Sequence, residues 1–175
     1  VADLVGRVVA ESEQQPTLNA STVSFLCKFF CGRMDSDYGS VQGCLEALLS
    51  MARSPEESSS STPAAMIDER MLMLASLKKL HVPQMAINLR ILSHHLFDVL
   101  MCDDQVCSKI RSNATEEDHS NKIVEHFCDA MNQESDPRCL RRCFGTATRL
   151  MTAFESELSN ESVEKMFEVL PCLNR

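Results

Sequence analysis

Apolar residues recur three and four positions apart along almost the whole chain, and polar residues occupy most positions between them. This spacing places the apolar side chains on one side of a helix that has 3.6 residues per turn. The stripes are Leu4, Val5, Val8 and Val9; Val23, Leu26, Cys27, Phe30 and Met34; Val41, Cys44, Leu45, Leu48, Leu49 and Ala52; Met66, Met73, Leu74 and Leu77; Met85, Leu89, Leu92, Leu96, Val99 and Leu100; Val106, Cys107 and Ile110; Ile123, Val124, Phe127, Cys128 and Met131; Leu140, Cys143, Phe144, Ala147, Met151 and Phe154; and Val163, Met166, Phe167 and Leu170. The pattern predicts an all-α protein with eight or nine helices and no strand.

Prolines and capping residues indicate where these helices begin. A proline is favoured at the first position of a helix, where its missing N–H costs nothing, and three prolines fit this position: Pro63, Pro83 and Pro137. Side-chain caps are expected at three other starts: Ser21 or Thr22, Ser40, and Thr115 with Asp118 three residues later. We expect a boundary at each of these six places.

Residues 53–62, with the sequence RSPEESSSST, have the serine, proline and glutamate content of a mobile loop. The other connections are short. Short connections make consecutive helices antiparallel neighbours, so we expect the chain to zigzag into a layered stack.

The expected helix starts, near residues 3, 22, 41, 63, 83, 116, 137 and 161, recur about every twenty residues, with a short segment at 104–111 in the one larger gap. Two helices then form a unit of about forty residues, and in this the chain resembles the HEAT and armadillo superfamily of α-solenoids. The resemblance implies a single helical domain over residues 1–175 that is one segment of a larger scaffold. A compact helical bundle shares most of these features and remains open as an alternative.

Composition and charge argue against some classes of function. A net charge of −8 and a pI near 5.1 disfavour a general nucleic-acid binder, which needs a surplus of lysine and arginine. No apolar run reaches the roughly 18 residues of a membrane span. A helical nucleic-acid-associated domain remains an alternative only if further basic residues lie on the same face as the arginines between Arg138 and Arg149. Those residues are Lys78, Lys79, Lys109 and Arg111.

The chain has nine cysteines, an odd number, and most of them stand in register with leucine, valine or phenylalanine. Reduced cysteine is a small, frequently buried hydrophobe, so we expect thiols packed in the core of a cytoplasmic or nuclear protein. The alternative is a secreted, disulfide-bonded helical bundle of the cytokine type. Its glycosylation sites would be Asn19, Asn113 and Asn160, although each of these also fits a helix start.

Few residues suggest chemistry. Cys27 with Cys31 and Cys139 with Cys143 are four apart on a helix, yet this is not the spacing of a zinc knuckle, and we expect no metal site. His94 and His95 are adjacent and diverge by about 100°, so one should pack near the core and the other meet solvent. No phosphate loop, nucleophile elbow or carboxylate pair is present, so we expect neither a cofactor nor an enzyme.

Two surface features could carry recognition. Phe25 and Phe29 extend one apolar stripe to a second helix face, as an exposed anchor would, or as in a central helix. Four arginines, Arg138, Arg141, Arg142 and Arg149, predict a basic ridge that could bind an acidic peptide or phosphate, unless they pair with local acids. We expect a non-catalytic scaffold module that binds other proteins of a multi-subunit complex along a groove between helices.

Overall fold

The computed structural model describes residues 19–53, 66–112 and 119–170. Within these ranges the protein has eight α-helices and no strand, as the apolar pattern predicts. The helices are α1 (Ala20–Ser36), α2 (Val41–Ala52), α3 (Ile67–Leu77), α4 (Ile87–Met101), α5 (Asp104–Ser112), α6 (His119–Met131), α7 (Pro137–Ala153) and α8 (Asn160–Val169). Two 3-10 helices, Tyr38–Ser40 and Val82–Gln84, precede α2 and α4. The helix expected around Leu4–Val9, the loop 53–62 beyond Arg53, Pro63, Asn113 and the Thr115 cap lie outside the described residues.

Local side chains set the helix starts, and some of the expected boundaries shift by a few residues. Pro137 begins α7 as predicted, with Asp136 as its cap. Pro83 lies in the first turn of the 3-10 helix and not of α4, because extended backbone at Met85 delays the start of α4 to Ile87. Ser40 precedes α2 as predicted, but its side chain makes no capping hydrogen bond. Helix α8 is capped by Ser159, whose side chain accepts from the Ser162 N–H.

The cap of α1 is Asn19, and the expectation of Ser21 or Thr22 in this role was wrong. Asn19 Oδ1 accepts the Thr22 backbone N–H at 2.8 Å and both hydroxyl groups, of Ser21 and Thr22, at 2.8 Å. An amide oxygen on a residue with extended backbone reaches the first free N–H groups of the helix, which the two hydroxyl residues inside the helix cannot do.

Asn19→Ala is therefore expected to lower the free energy of unfolding by about 1 kcal/mol, because α1 loses the acceptor of its first free N–H groups. Ser21→Ala removes only a neighbour of that acceptor and should change stability by less than about 0.5 kcal/mol. Urea denaturation followed by circular dichroism measures both. A larger loss for Ser21→Ala than for Asn19→Ala would contradict the assignment of the cap.

The helices stack in two rows. One row runs through α1, α3, α5, α6 and α8, each in contact with the next, and the other through α2, α4 and α7. Contacts of α1 with α2, of α3 with α4 and of α4 with α5 join the rows. Several of these contacts link helices that are two apart in the chain, while α4 and α7 are three apart, a packing that an α-solenoid and a helical bundle both allow. The predicted layered stack is confirmed.

The core lies between the two rows and is built by the predicted stripes. Its largest fully buried side chains include Phe30, Leu48, Leu96, Leu100 and Phe154. Thiols contribute as expected: seven cysteines are buried as free thiols, Cys27, Cys31, Cys44, Cys107, Cys128, Cys139 and Cys143. These buried thiols favour the reduced protein over a disulfide-bonded secreted bundle.

A buried ion pair ties three helices together at the edge of this core. Arg70 Nη1 of α3 lies 2.7 Å from Asp103 Oδ2, just before α5, and both side chains are 6% exposed. Arg70 Nη2 also donates to the Ala52 carbonyl oxygen at the end of α2, at 3.0 Å. The Arg70 guanidinium of α3 therefore connects the last residue of α2 to the residue that precedes α5.

Candidate functional site

The outer face of α1 exposes two aromatic side chains. The inner face, with Cys27, Phe30 and Met34, is buried against α2 and α3. On the outer face Phe25 is 66% exposed and Phe29 is 41% exposed. The Phe29 ring rests edge-on against Phe30, with ring centroids 5.4 Å apart, so the core holds it in place. Both side chains are therefore accessible to solvent, and neither is packed as in a central helix.

The four predicted arginines all lie on α7, and two of them pair with acids. Arg138 forms an ion pair with Asp136 at 2.9 Å, and Arg149 forms one with Asp98 of α4. Asp98 also accepts from Thr146 at 2.9 Å, which fastens α7 to α4. These two arginines therefore stabilise α7 through ion pairs with nearby acids, as the alternative interpretation of the basic ridge predicts.

Arg141 and Arg142 make up the rest of the ridge. Arg141 is exposed, and within the described residues no ion pair of its guanidinium is found. Arg142 is half-buried near His95, and burial together with Arg142 and Arg53 lowers the pKa of His95 to about 4. Among the described residues, Arg141 and Arg142 therefore differ from Arg138 and Arg149 in having no ion pair with an acid.

Of the four basic residues that would have to join this ridge, Lys79 and Lys78 have contacts elsewhere. Lys79 of the α3 terminus pairs with Asp35 of α1. Burial and the neighbouring Lys122 lower the pKa of Lys78. Together with the paired Arg138 and Arg149, these contacts leave little support for the nucleic-acid alternative.

A polar cluster is buried between α4 and the start of α7, and it contains the chemistry that sequence spacing did not reveal. His94, Glu134 and Cys139 are 5%, 6% and 0% exposed. His94 comes from α4, Glu134 from the loop between α6 and α7, and Cys139 from the first turn of α7. One potential ligand atom of each lies within 4.8 Å of the other two.

The loop conformation turns Glu134 inward. Gln133 has a φ of 63°, in the left-handed region that residues other than glycine seldom adopt. Glu134 Oε1 then accepts the N–H groups of Ser135 and Asp136, each at 2.9 Å, while Oε2 lies 3.7 Å from His94 Nε2. Arg90 Nη1, at 3.6 Å from Oε1, provides the nearest positive charge.

The other edge of the His94 ring faces a second thiol. Cys143 Sγ lies 3.5 Å from His94 Nδ1, although 49 residues separate them. Burial raises the pKa of Cys143 to about 12 and lowers that of His94, so the neutral thiol and neutral imidazole persist at physiological pH. A nucleophilic cysteine needs the reverse, a thiolate stabilised by a cationic neighbour, so this pair is unsuited to covalent catalysis.

The histidine prediction is confirmed for the core: His94 is buried, whereas His95 is half-exposed beside Arg53. The two cysteine pairs that suggested four thiolates do not gather into one cluster among the described residues. Cys27 and Cys31 lie in α1, whereas Cys139 and Cys143 lie in α7. The sequence analysis considered Cys139 only together with other cysteines and predicted no metal site, and it did not connect Cys139 with His94 or Glu134.

Two further exposed aromatic residues were missed by the sequence argument. Tyr38, in the turn after α1, is 66% exposed, and Phe167 of α8 is 43% exposed. Phe167 was expected in the buried stripe of α8, and that expectation was wrong. Its neighbour Met166 occupies the buried position, and adjacent residues of a helix point about 100° apart, so Phe167 faces solvent.

A family model described as Dos2-interacting transcription regulator of RNA-Pol-II (MMS19_N) matches residues 2–173 of this chain. Comparison with curated proteins and with solved structures returned no match. In the part of the chain that the structure describes, none of the helices has the length and apolarity needed to cross a bilayer.

Proposed function

Because this chain belongs to the family described as Dos2-interacting transcription regulator of RNA-Pol-II, we propose that it binds a partner protein through the outer face of α1. The family supports a scaffold that contacts other proteins within a complex. The observation that carries the choice of surface is the exposure of Phe25 and Phe29 on a helix whose opposite face is already fully packed.

The chemistry of this face favours an apolar partner segment with acidic flanks. Exposed aromatic side chains contribute most to protein interfaces when a partner removes them from water. Lys28, between the two phenylalanines in sequence, is exposed and would attract a carboxylate at the rim. We propose Dos2, the partner that the family description names, as the occupant.

Arg141 and Arg142 form a second, weaker candidate surface for the same kind of complex. In the part of the chain that the structure describes, no acid pairs with them, in contrast to Arg138 and Arg149. Charges at a rim mainly accelerate association and select orientation rather than add affinity. We propose this role for Arg141 and Arg142, with Arg138 and Arg149 holding α7 in place.

Substitution of both phenylalanines tests the proposal for α1. Phe25→Ala with Phe29→Ala should raise the Kd for purified Dos2 by at least about 30-fold, since one central interface aromatic contributes about 2 kcal/mol or more. Isothermal titration calorimetry with the whole chain measures the Kd. Phe167→Ala is the matched control, because Phe167 has nearly the same exposure as Phe29 but lies on α8.

Each outcome bears on the proposal. Unchanged affinity in the double variant, or an equal loss in Phe167→Ala, would contradict it. The melting temperature of each variant must also be measured. A fall in the melting temperature without a change in Kd would show that Phe25 and Phe29 pack against the chain itself and not against a partner.

We further propose that the chain is one segment of a larger HEAT or armadillo scaffold over residues 1–175, cytoplasmic or nuclear, and not an enzyme. The all-helical fold and the family match over residues 2–173 support this proposal. The family is a regulatory one, and the high pKa of the Cys143 thiol beside His94 supports a structural rather than a nucleophilic role.

A further inference from the structure

The cluster of His94, Glu134 and Cys139 brings three different donor types together in a buried place. The described ranges contain one group of this kind, and its ligand atoms lie within 4.8 Å of one another. It joins α4 to the start of α7, next to the ion pair of Asp98 with Arg149. Buried polar side chains without a hydrogen-bond partner are uncommon, because removing them from water costs free energy.

His94 carries the most informative atom of the cluster. Its Nε2 is buried and makes no hydrogen bond. The nearest oxygen, Glu134 Oε2, is 3.7 Å away, beyond hydrogen-bond range. A buried imidazole nitrogen left without a partner is unfavourable, so this geometry indicates that another group satisfies it.

The orientation of each side chain leaves one donor atom facing the common centre. Glu134 uses Oε1 for the backbone N–H groups of Ser135 and Asp136, which leaves Oε2 on the side of His94. The His94 ring is oriented from behind by Cys143, at 3.5 Å from Nδ1. Contacts of this kind, to the atoms that do not face the centre, are what orient ligands in metal sites.

We propose that His94 Nε2, Glu134 Oε2 and Cys139 Sγ bind a single zinc ion. Imidazole nitrogen, carboxylate oxygen and thiolate sulfur are the protein ligands of Zn²⁺, at about 2.0–2.3 Å from the metal. Such distances place the ligand atoms of a tetrahedron about 3.4–3.8 Å apart, so the side chains need to approach by about 1 Å. Small rotamer changes supply this.

Zinc brings two positive charges into the buried site, beside Arg90, whose Nη1 lies 3.6 Å from Glu134 Oε1. Binding releases the thiol proton of Cys139 to water, and the two charges of Zn²⁺ are then offset by the thiolate and the Glu134 carboxylate. His94 contributes as a neutral ligand. The fourth position is filled by a water molecule. Since the ligands come from α4, the α6–α7 loop and α7, the metal would fasten the second row of helices where α4 meets α7.

Cobalt provides the test, because Co²⁺ occupies zinc sites and reports a thiolate ligand by a charge-transfer absorption band. The whole chain, stripped of metal with a chelator, is titrated with Co²⁺ alone and then with Zn²⁺. We expect one equivalent of Co²⁺ to bind with that band, and Zn²⁺ to displace it and raise Tm. Absence of a one-to-one site in the wild type would overturn the proposal.

Cys139→Ala should lose the band and weaken metal binding by more than about 100-fold, since loss of even an outer partner costs about 10–100-fold. The matched control is Cys128→Ala, another fully buried cysteine on α6, which should keep both the band and the affinity. Retention of the band in Cys139→Ala, or its loss in Cys128→Ala, would contradict the assignment.

Glu134→Gln covers the case in which Cys139→Ala does not fold. Glutamine keeps an oxygen for the backbone N–H groups but removes the charged ligand, so the band should remain while affinity falls by at least about tenfold. Circular dichroism confirms that the helices are intact. Unchanged affinity in this variant would exclude Glu134 as a ligand and overturn the three-residue site.

Discussion

Arg70→Met is expected to lower the free energy of unfolding by about 3–5 kcal/mol, because it leaves the Asp103 carboxylate buried without its cationic partner. Both side chains of this pair are only 6% exposed, and the two charged atoms are 2.7 Å apart. Methionine retains most of the apolar stem of arginine, so the loss reports the charge and its hydrogen bond to the Ala52 carbonyl rather than missing volume. Urea denaturation measures the change.

Arg33→Met is the matched control for Arg70→Met. Arg33 pairs with Asp37 at a similar distance, 2.8 Å, but the two side chains are 51% and 40% exposed. Exposed pairs contribute about 0–1 kcal/mol, so little stability should be lost. Equal effects of the two substitutions would show that the Arg70 pair is solvated in solution.

A double variant separates the ion pair from its surroundings. Arg70→Met combined with Asp103→Leu removes both charges and should recover much of the stability lost in Arg70→Met. If the double variant is instead less stable than Arg70→Met by several kcal/mol, the interactions of Asp103 with α5 outweigh its contact with Arg70.

The second large effect is expected for Leu96→Ala, at about 2–5 kcal/mol. Leu96 is fully buried in α4, the helix that packs against α2 on one side and α7 on the other. Removing its side chain leaves a cavity between neighbours that are held by the helices on both sides and therefore relax only in part. Thermal and urea unfolding should both show the loss without a change in the m-value.

Leu92→Ala on the same helix is the control for Leu96→Ala. Leu92 is only half-buried, so the substitution should cost nearer to about 1 kcal/mol, a common value for point variants. A loss for Leu92→Ala that equals the loss for Leu96→Ala would show that the Leu92 side chain is packed as deeply as that of Leu96.

The core was largely predictable from the sequence, because burial in a helical protein follows the 3.6-residue period. Cys44 and Leu48 of α2 and Leu96 and Leu100 of α4 are buried as their stripes predict. The same rule failed for Phe167, where two adjacent large residues compete for one buried position. Periodicity identifies the face of a helix but does not decide between neighbours at its edge.

Helix boundaries were less predictable, since they depend on which side chain reaches a free N–H group. Asn19 rather than Ser21 or Thr22 caps α1, and Pro83 lies in a 3-10 turn four residues before α4. Several local arrangements of these residues satisfy the same propensities. The choice among them is made by tertiary packing.

The buried cluster could not be predicted, because its ligands come from three elements. His94 precedes Glu134 by forty positions, and the inward turn of Glu134 depends on the positive φ of Gln133. No spacing rule connects residues that are brought together by the packing of α4 on α7. Phe25 and Phe29 were easier to find, because both lie on α1 and extend its apolar stripe to a second face.

The seven buried thiols are distributed over five helices, α1, α2, α5, α6 and α7. Burial raises the pKa of Cys107 and Cys128 to about 11, so neither reacts readily with an alkylating reagent while its helix remains packed. Each thiol becomes reactive when local unfolding brings it to solvent. The buried thiols therefore report local unfolding. The order in which they are alkylated is the order in which adjacent helices of the two rows separate.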